Sequence, residues 1–132
     1  MSNRTDFANE KYVSLATFKR SGDKVATPVW IAADGEDLYV FSESKAGKVK
    51  RLRNASRAEL AACTFSGEVL GDWVPAEAVL TEDPADIERG LKALRKKYGW
   101  QMRMADWGAR LTGRYNARAY IRVRVSEAGS EA

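Results

Sequence analysis

Histidine is absent from this sequence of 132 residues, and cysteine occurs only once. Without an imidazole, the chain cannot build a His-containing zinc site, a His-ligated haem iron or a nucleophile paired with a histidine base. A single cysteine cannot form an internal disulfide, and Cys63 lies in an apolar, strand-like run, so we expect a buried and unreactive thiol. Any redox chemistry must therefore come from a bound ligand or from other side chains.

Long apolar runs are absent as well, since none approaches the ~18 residues of a membrane span. The first twenty residues carry acidic and polar groups throughout, unlike a signal peptide. We therefore expect a cytoplasmic protein with no membrane partner. No repeat or linker-like segment divides the chain, so residues 1–132 are expected to form one domain with flexible ends at 1–10 and 126–132.

Runs of β-branched and aromatic residues between turn residues predict most of the sheet. Segments 12–18 and 25–32 flank a Ser-Gly-Asp turn and indicate a hairpin, and Asp34-Gly35 leads into a third strand at 37–41. Three successive antiparallel strands would form a meander. The other predicted elements are strands at 57–65, 73–80 and 119–125 and helices at 44–54, 84–98 and 100–111. The order β-β-β-α-β-β-α-α-β predicts an α+β domain with too few crossovers for a Rossmann fold.

The most concentrated charge lies in segment 45–57, KAGKVKRLRNASR, which holds six cations and no acid. On a helix, Ser44, Lys48 and Arg51 share one face near the N-terminus, where unpaired backbone N–H groups favour an anion. Gly47 would permit the close approach of a ligand. The segment therefore predicts a phosphate site, and the alternative is a solvated basic face, which charge runs usually are.

Strand 25–32 contains Pro28, which cannot donate to a strand ladder and belongs on an edge or at an irregularity that faces a ligand. If it faces a ligand, Thr27 and the strand backbone are offered to a flat ring. Edge placement explains the proline equally well.

Three tryptophans are candidates for the core or for an interface. Trp73 stands at the start of a strand, where a core position and a site position are equally expected. Trp100 and Trp107 lie beside Met102 and Met104, and we expect them to pack.

Together these segments resemble the pyridoxamine 5′-phosphate oxidase-like split β-barrel proteins, and among them the branch that depends on the deazaflavin coenzyme F420. The resemblance lies in TPVW at 27–30, LYVFSES at 38–44 and GKVKRLRN at 47–54, and it extends from KYVSLATF through KKYGW to the last strand. It implies an FMN-binding split barrel of roughly six mostly antiparallel strands, with a phosphate-binding helix and one or two further helices. The phosphate-gripping and substrate residues of the vitamin-oxidase branch are not matched.

In such proteins the cofactor lies between the subunits of a homodimer, with its ring against the second strand and its phosphate at the helix after the third. The resemblance implies that the ring is lined by Thr27, Pro28, Val29 and Trp30. It implies that the phosphate end is held by Ser42, Ser44, Lys48, Lys50 and Arg51. Trp73 would approach from the partner subunit.

The leading hypothesis is an oxidoreductase that transfers a hydride between bound deazaflavin and a small unsaturated substrate, with FMN as the alternative cofactor. The cofactor supplies the chemistry, so no catalytic residue and no metal ligand is assigned. The alternatives are an FMN-binding reductase, or a non-enzymatic carrier or sensor of a flavin or tetrapyrrole.

A net charge of +4 suits an anionic partner without identifying it. Segment 95–124 holds nine cations and one acid, which raises nucleic-acid binding as a further alternative. Its last arginines alternate with Tyr and Val, as on an exposed sheet face, so nucleic acid is not the expected partner.

Overall fold

The computed structural model describes residues 7–35, 37–43, 47–112 and 118–125, which form an antiparallel seven-stranded sheet and three helices. The sheet order is β2-β1-β5-β6-β7-β4-β3, and the sheet curls into a half-barrel. The strands are β1 (Val13–Phe18), β2 (Lys24–Val29), β3 (Ala32–Asp34), β4 (Asp37–Glu43), β5 (Arg57–Ala62), β6 (Val74–Thr81) and β7 (Arg118–Val125), and the helices are α1 (Gly47–Asn54), α2 (Pro84–Tyr98) and α3 (Trp100–Thr112). The predicted α+β class is confirmed.

The predicted continuous strand at 25–32 is wrong, because the chain leaves the sheet at Trp30 and Ile31. The two predicted hairpin pairings are present, since β2 pairs with β1 and β3 pairs with β4. However, β2 and β3 lie at opposite edges of the sheet, so the predicted strands do not lie side by side as one meander. Only two residues join the two edge strands, and the sheet must therefore curl to bring its edges near one another. Apart from Thr27, the segment 25–32 is apolar throughout, so its pattern does not mark where the chain changes edges.

The inward side chains of the curled sheet form the main core, and Leu15, Leu38 and Ile121 are fully buried in it. α1 contacts β1 and β6, and it buries Val49 and Leu52. This packing fixes the helix that carries the cationic segment. None of the described helices is long and apolar enough to cross a membrane.

α2 begins and ends at the residues predicted from its sequence. The Asp83 side chain accepts a hydrogen bond from the Ala85 N–H at 3.1 Å, and Pro84 occupies the first turn. Gly99 ends the helix with a φ of 57°, a conformation that favours glycine. The register of α2 is therefore set by its own termini.

A buried carboxylate joins α2 to the sheet. Asp86 accepts hydrogen bonds from the Tyr39 hydroxyl at 2.5 Å, from Arg89 at 2.9 Å and from Arg122 at 2.9 Å. Burial acts to raise the pKa of Asp86, but hydrogen bonds from Tyr39, Thr81 and Arg89 and the charge of Arg122 outweigh it and lower the pKa to about 2. The carboxylate is therefore charged at neutral pH and ties together α2, β4 and β7.

α3 presents an apolar stripe to solvent. Trp100, Met104, Trp107 and Leu111 recur at helical spacing and are 70%, 60%, 64% and 68% exposed. Trp100 and Trp107 do not pack in the core of the chain, because the helix buries Met102 and Asp106 on its opposite face. Their packing at an interface stays a prediction.

Candidate functional site

The end of β2 opens onto a cavity of about 360 Å³, a size within the range of small-molecule sites. Its walls are mainly apolar and aromatic, and one cation reaches it. The lining residues are Tyr12, Pro28, Val29, Trp30, Phe41, Lys48, Phe65 and Ala105. Four residues predicted for the site from the sequence, Pro28, Val29, Trp30 and Lys48, thus meet in one cavity.

Trp30 lines the cavity and is held in place by two other aromatic rings. Its indole stacks on the Tyr98 ring, with centroids 4.6 Å apart and 12° between the planes, and meets the edge of Phe41 at 6.2 Å. Tyr12 and Phe65, which also line the cavity, pack edge to face at 5.5 Å. Offset and edge-to-face packing of this kind holds aromatic rings in defined orientations.

The polar corner next to the cavity is formed by Lys48 of α1, which lines the cavity, and by Ser42 near the end of β4, which does not. The Lys48 ammonium lies in the cavity wall and donates a hydrogen bond to the Ser42 hydroxyl at 3.2 Å. A cation and a hydroxyl placed side by side provide donors that suit a phosphate oxygen. Ser44, the other hydroxyl predicted for this corner, lies outside the described residues.

Arg51 and Lys50 are not brought to the same cavity. The Arg51 guanidinium donates to the Thr17 hydroxyl of β1 at 2.6 Å. A Cβ at Gly47 would lie 2.9 Å from the end of the Arg51 guanidinium, which its flexible side chain can move aside. The predicted approach of a ligand at Gly47 stays a prediction.

A second pocket of about 730 Å³ lies beside the C-terminal half of α1, and we call it the basic pocket. Among the described residues, its lining holds five cations and no carboxylate, and it comprises Phe18, Lys19, Arg20, Gly22, Lys50, Arg51, Ala55 and Arg57. The Arg57 guanidinium lies 3.8 Å from the centroid of the Phe18 ring, which holds its plane against the wall. The cationic segment therefore faces two places, with Lys48 at the cavity and Lys50, Arg51 and Arg57 at the basic pocket.

Thr27 lies next to the cavity wall in β2. Among the described residues, its hydroxyl is buried without a hydrogen-bond partner. Its side chain shares a strand face with Val29, which lines the cavity. A buried unsatisfied hydroxyl in a folded protein requires an explanation, and an adjacent ligand is one.

Trp73 lies away from the cavity of its own chain. The Lys24 ammonium sits 3.9 Å from the centre of the Trp73 ring and also pairs with Glu59 at 2.9 Å. The predicted approach of Trp73 from a partner subunit stays a prediction.

Sequence reasoning missed Tyr12, Phe41, Phe65 and Ala105 as lining residues. Tyr12 directly precedes β1, Phe41 lies within β4 and Phe65 follows β5 by three residues, so no common position in the strands marked them as lining residues. No sequence signal marked Ala105 as a lining residue, because an alanine inside a helix is favourable wherever it points.

Four arginines of segment 95–124 pair with carboxylates. Arg95 and Arg118 both pair with the buried Asp106, at 3.0 and 2.7 Å, and Arg122 pairs with Asp86. Arg124 pairs in turn with Asp37 at 2.5 Å. Neutralisation of this kind does not favour a nucleic-acid surface, which needs cations directed at phosphates.

Solved structures with this fold support the description of the half-barrel as a split β-barrel. The chain is similar to HutZ, the heme storage protein of Vibrio cholerae, with a TM-score of 0.68, 13% identity and coverage of 93% of this chain and 87% of that one. It is similar to a Listeria innocua protein provisionally assigned as a pyridoxamine 5′-phosphate oxidase, with a TM-score of 0.60, 16% identity and coverage of 90% of each chain. It is also similar to an F420 reductase, with a TM-score of 0.54, 16% identity and coverage of 96% and 94%.

No family model and no curated protein matches the sequence. The identities to the solved structures are low, so these likenesses establish the split-barrel fold. They place the chain among structures that include oxidoreductases and a haem-storage protein.

Proposed function

We propose that the protein is an oxidoreductase that binds a deazaflavin of the coenzyme F420 type and transfers a hydride between it and a small unsaturated substrate. The observation that carries this proposal is the convergence of Pro28, Val29 and Trp30 with Lys48 in one aromatic cavity. Such a site suits a ligand with a flat ring and an anionic arm. A structural neighbour that is an F420 reductase agrees with this choice.

The flat ring would lie against the end of β2. Trp30, Phe41 and Phe65 offer apolar surface that would exclude water from one part of the ring. The unpaired hydroxyl of Thr27 could hydrogen-bond with a polar edge of the ring or with the arm that leaves it. When bound, the deazaflavin would supply the hydride chemistry, and these residues would fix its position.

Lys48 and Ser42 would hold the phosphate. Coenzyme F420 continues from its phosphodiester into a tail of carboxylates, whereas FMN ends at one phosphate. The basic pocket lies one turn further along α1 and offers cations beyond those that one phosphate can use. We therefore propose that F420 is preferred to FMN, with the tail directed to Lys50, Arg51 and Arg57.

Titration with F420 and with FMN tests the choice of cofactor. We expect tighter binding of F420, and we expect its affinity to fall more steeply with salt, because more exposed charges are screened. Dissociation constants measured by fluorescence at low and at physiological ionic strength provide both results. Tighter FMN binding at every salt concentration would reverse the choice, and binding of either ligand without hydride turnover would favour a carrier or sensor.

Substitution of lysines along α1 distinguishes contacts to the phosphate of the cofactor from contacts to its carboxylate tail. Charge-assisted hydrogen bonds contribute ~1.5–3 kcal/mol, so Lys48→Ala should weaken both F420 and FMN about tenfold or more. Lys50→Ala should weaken F420 and leave FMN nearly unchanged, since Lys50 lines only the basic pocket. The matched control is Lys92→Ala, which removes an exposed cation of α2 away from both pockets. If the three variants bind F420 and FMN with equal affinities, the cationic segment 45–57 is a solvated face that does not contact the cofactor.

We further propose that the protein forms a homodimer in which a second copy covers the apolar stripe of α3. The four exposed side chains make an apolar patch of the kind that marks interaction sites. α3 also contributes Ala105 to the cavity, from a different face of the helix than the stripe. Sedimentation equilibrium at micromolar concentration measures this assembly, and a strict monomer with cofactor present would contradict it.

A further inference from the structure

The C-terminal end of α2 reaches two backbone segments that lie far from it in the sequence. The Tyr98 hydroxyl accepts a hydrogen bond from the Ile31 N–H at 2.9 Å and donates one to the Lys11 carbonyl at 2.8 Å. The Lys97 ammonium donates to the Glu10 carbonyl at 2.5 Å and to the Ile31 carbonyl at 2.6 Å. We call Lys97 and Tyr98 the α2 clamp, because together they join residues 10–11 to residue 31.

Both segments adjoin walls of the cavity. Tyr12 directly follows Lys11, and Trp30 directly precedes Ile31. Trp30 and Ile31 lie between β2 and β3 and are not held by a strand ladder, so their position depends on other contacts. The stacking of the Tyr98 ring on the Trp30 indole supplies a second contact from the same residue.

Removal of the Tyr98 hydroxyl should lower the stability of the fold. Ile31 is fully buried and Tyr98 is nearly so, and a buried backbone N–H that loses its hydrogen-bond partner destabilises the fold. Burial raises the pKa of Tyr98 to about 12, so the hydroxyl keeps the proton that it donates to Lys11. Burial lowers the pKa of Lys97 to about 8, which leaves the ammonium largely charged at pH 7.

We propose that Tyr98 is a positioning residue of the cofactor site, whose hydroxyl fixes the Trp30–Ile31 backbone while its ring fixes the Trp30 indole. Lys97 supports the same backbone through the carbonyl of Ile31. The proposal rests on the proposed function for its ligand, because Trp30 is there a wall for the flat ring. Tyr98 acts through Trp30 and does not itself line the cavity.

The test compares two tyrosine-to-phenylalanine variants. Tyr98→Phe keeps the stacked ring and removes the hydroxyl at the clamp, whereas Tyr39→Phe removes a buried hydroxyl that bonds Asp86 away from the cavity. Both variants should lose stability, and binding is measured well below their melting temperatures. We expect Tyr98→Phe to weaken F420, FMN and riboflavin alike by about five- to tenfold, and Tyr39→Phe to change none of them by more than about twofold.

Riboflavin carries the ring without the phosphate. A weaker affinity for riboflavin therefore indicates that Trp30, the wall for the ring, has moved, and not that a phosphate contact is lost. Equal effects of Tyr98→Phe and Tyr39→Phe on affinity would reduce Tyr98 to a structural residue. Lys97→Met, which keeps the apolar stem, should change affinity in the same direction as Tyr98→Phe.

A second readout needs no cofactor and therefore survives failure of the proposed function. The indole N–H resonance of Trp30, assigned through Trp30→Phe, should shift in Tyr98→Phe and stay in place in Tyr39→Phe. If wild-type protein binds none of the three ligands while the resonance shifts, the proposed function fails and the positioning of Trp30 stands. An unshifted resonance in Tyr98→Phe would overturn the positioning role.

Discussion

Asp86→Ala should lower the free energy of unfolding by about 1–3 kcal/mol, the usual cost of leaving a buried polar group without its hydrogen-bond partner. The carboxylate is 1% exposed and accepts from Tyr39, Arg89 and Arg122. Its loss leaves the Tyr39 hydroxyl buried without that acceptor and removes the carboxylate from both arginines. Urea unfolding followed by circular dichroism measures the change.

The matched control is Glu59→Ala, which removes a partly exposed carboxylate that pairs with Lys24. An exposed pair of this kind contributes ~0–1 kcal/mol. Similar losses in the two variants would mean that the Asp86 network contributes no more than a surface ion pair.

The same network predicts how stability changes in acid. The pKa of Asp86 is lowered from its ordinary value of 3.8 to about 2, so its contribution is complete above about pH 4 and is lost as pH falls through 2. Wild-type protein should lose this part of its stability in that window, and Asp86→Ala should show a flatter profile there. Parallel profiles in the two proteins would contradict the lowered pKa.

Gly90→Ala should destabilise the protein by about 1–3 kcal/mol, although alanine is the better helix former. A Cβ at Gly90 would lie 2.8 Å from a ring atom of Tyr39. The Tyr39 ring is 1% exposed and its hydroxyl is bonded to Asp86, so it cannot move aside cheaply. Thermal and urea unfolding measure the loss.

Gly108→Ala in α3 makes the same change where a Cβ meets no atom within 4 Å. It should stabilise the protein by ~0.5–1 kcal/mol through helix propensity alone. Opposite signs for the two substitutions would establish the close approach of α2 to β4, and a gain in both would contradict it.

Local signals predicted the elements better than their arrangement. Asp83, Pro84 and Gly99 define α2 because capping depends on neighbours in the sequence. The pairing of β4 with β7 joins residues some eighty positions apart, and no short-range pattern specifies such a partner. The break in segment 25–32 was missed for the same reason, since the Ile31 N–H donates its hydrogen bond to the Tyr98 hydroxyl of α2, which is distant in the sequence.

The candidate site shows the same limit. Helical spacing placed Lys48 and Arg51 on one face, but it could not show that Thr17 of β1 would hold the Arg51 guanidinium. In α3, Met102 lies on one face and the tryptophans lie on another, and both faces carry apolar residues. Periodicity alone therefore could not decide which face the protein buries. The segment 27–30 was placed at the site by its resemblance, and three of its residues line the cavity.

The position of Pro28 in an edge strand has a consequence for aggregation. A sheet edge offers unpaired N–H and C=O groups to which another chain can add a strand. β2 forms one edge and contains a proline, which has no N–H to donate, and β3 forms the other edge with only three residues. Both edges are thus poor templates for strand addition, and the residue that shapes the cavity wall also helps to limit the sheet to its seven strands.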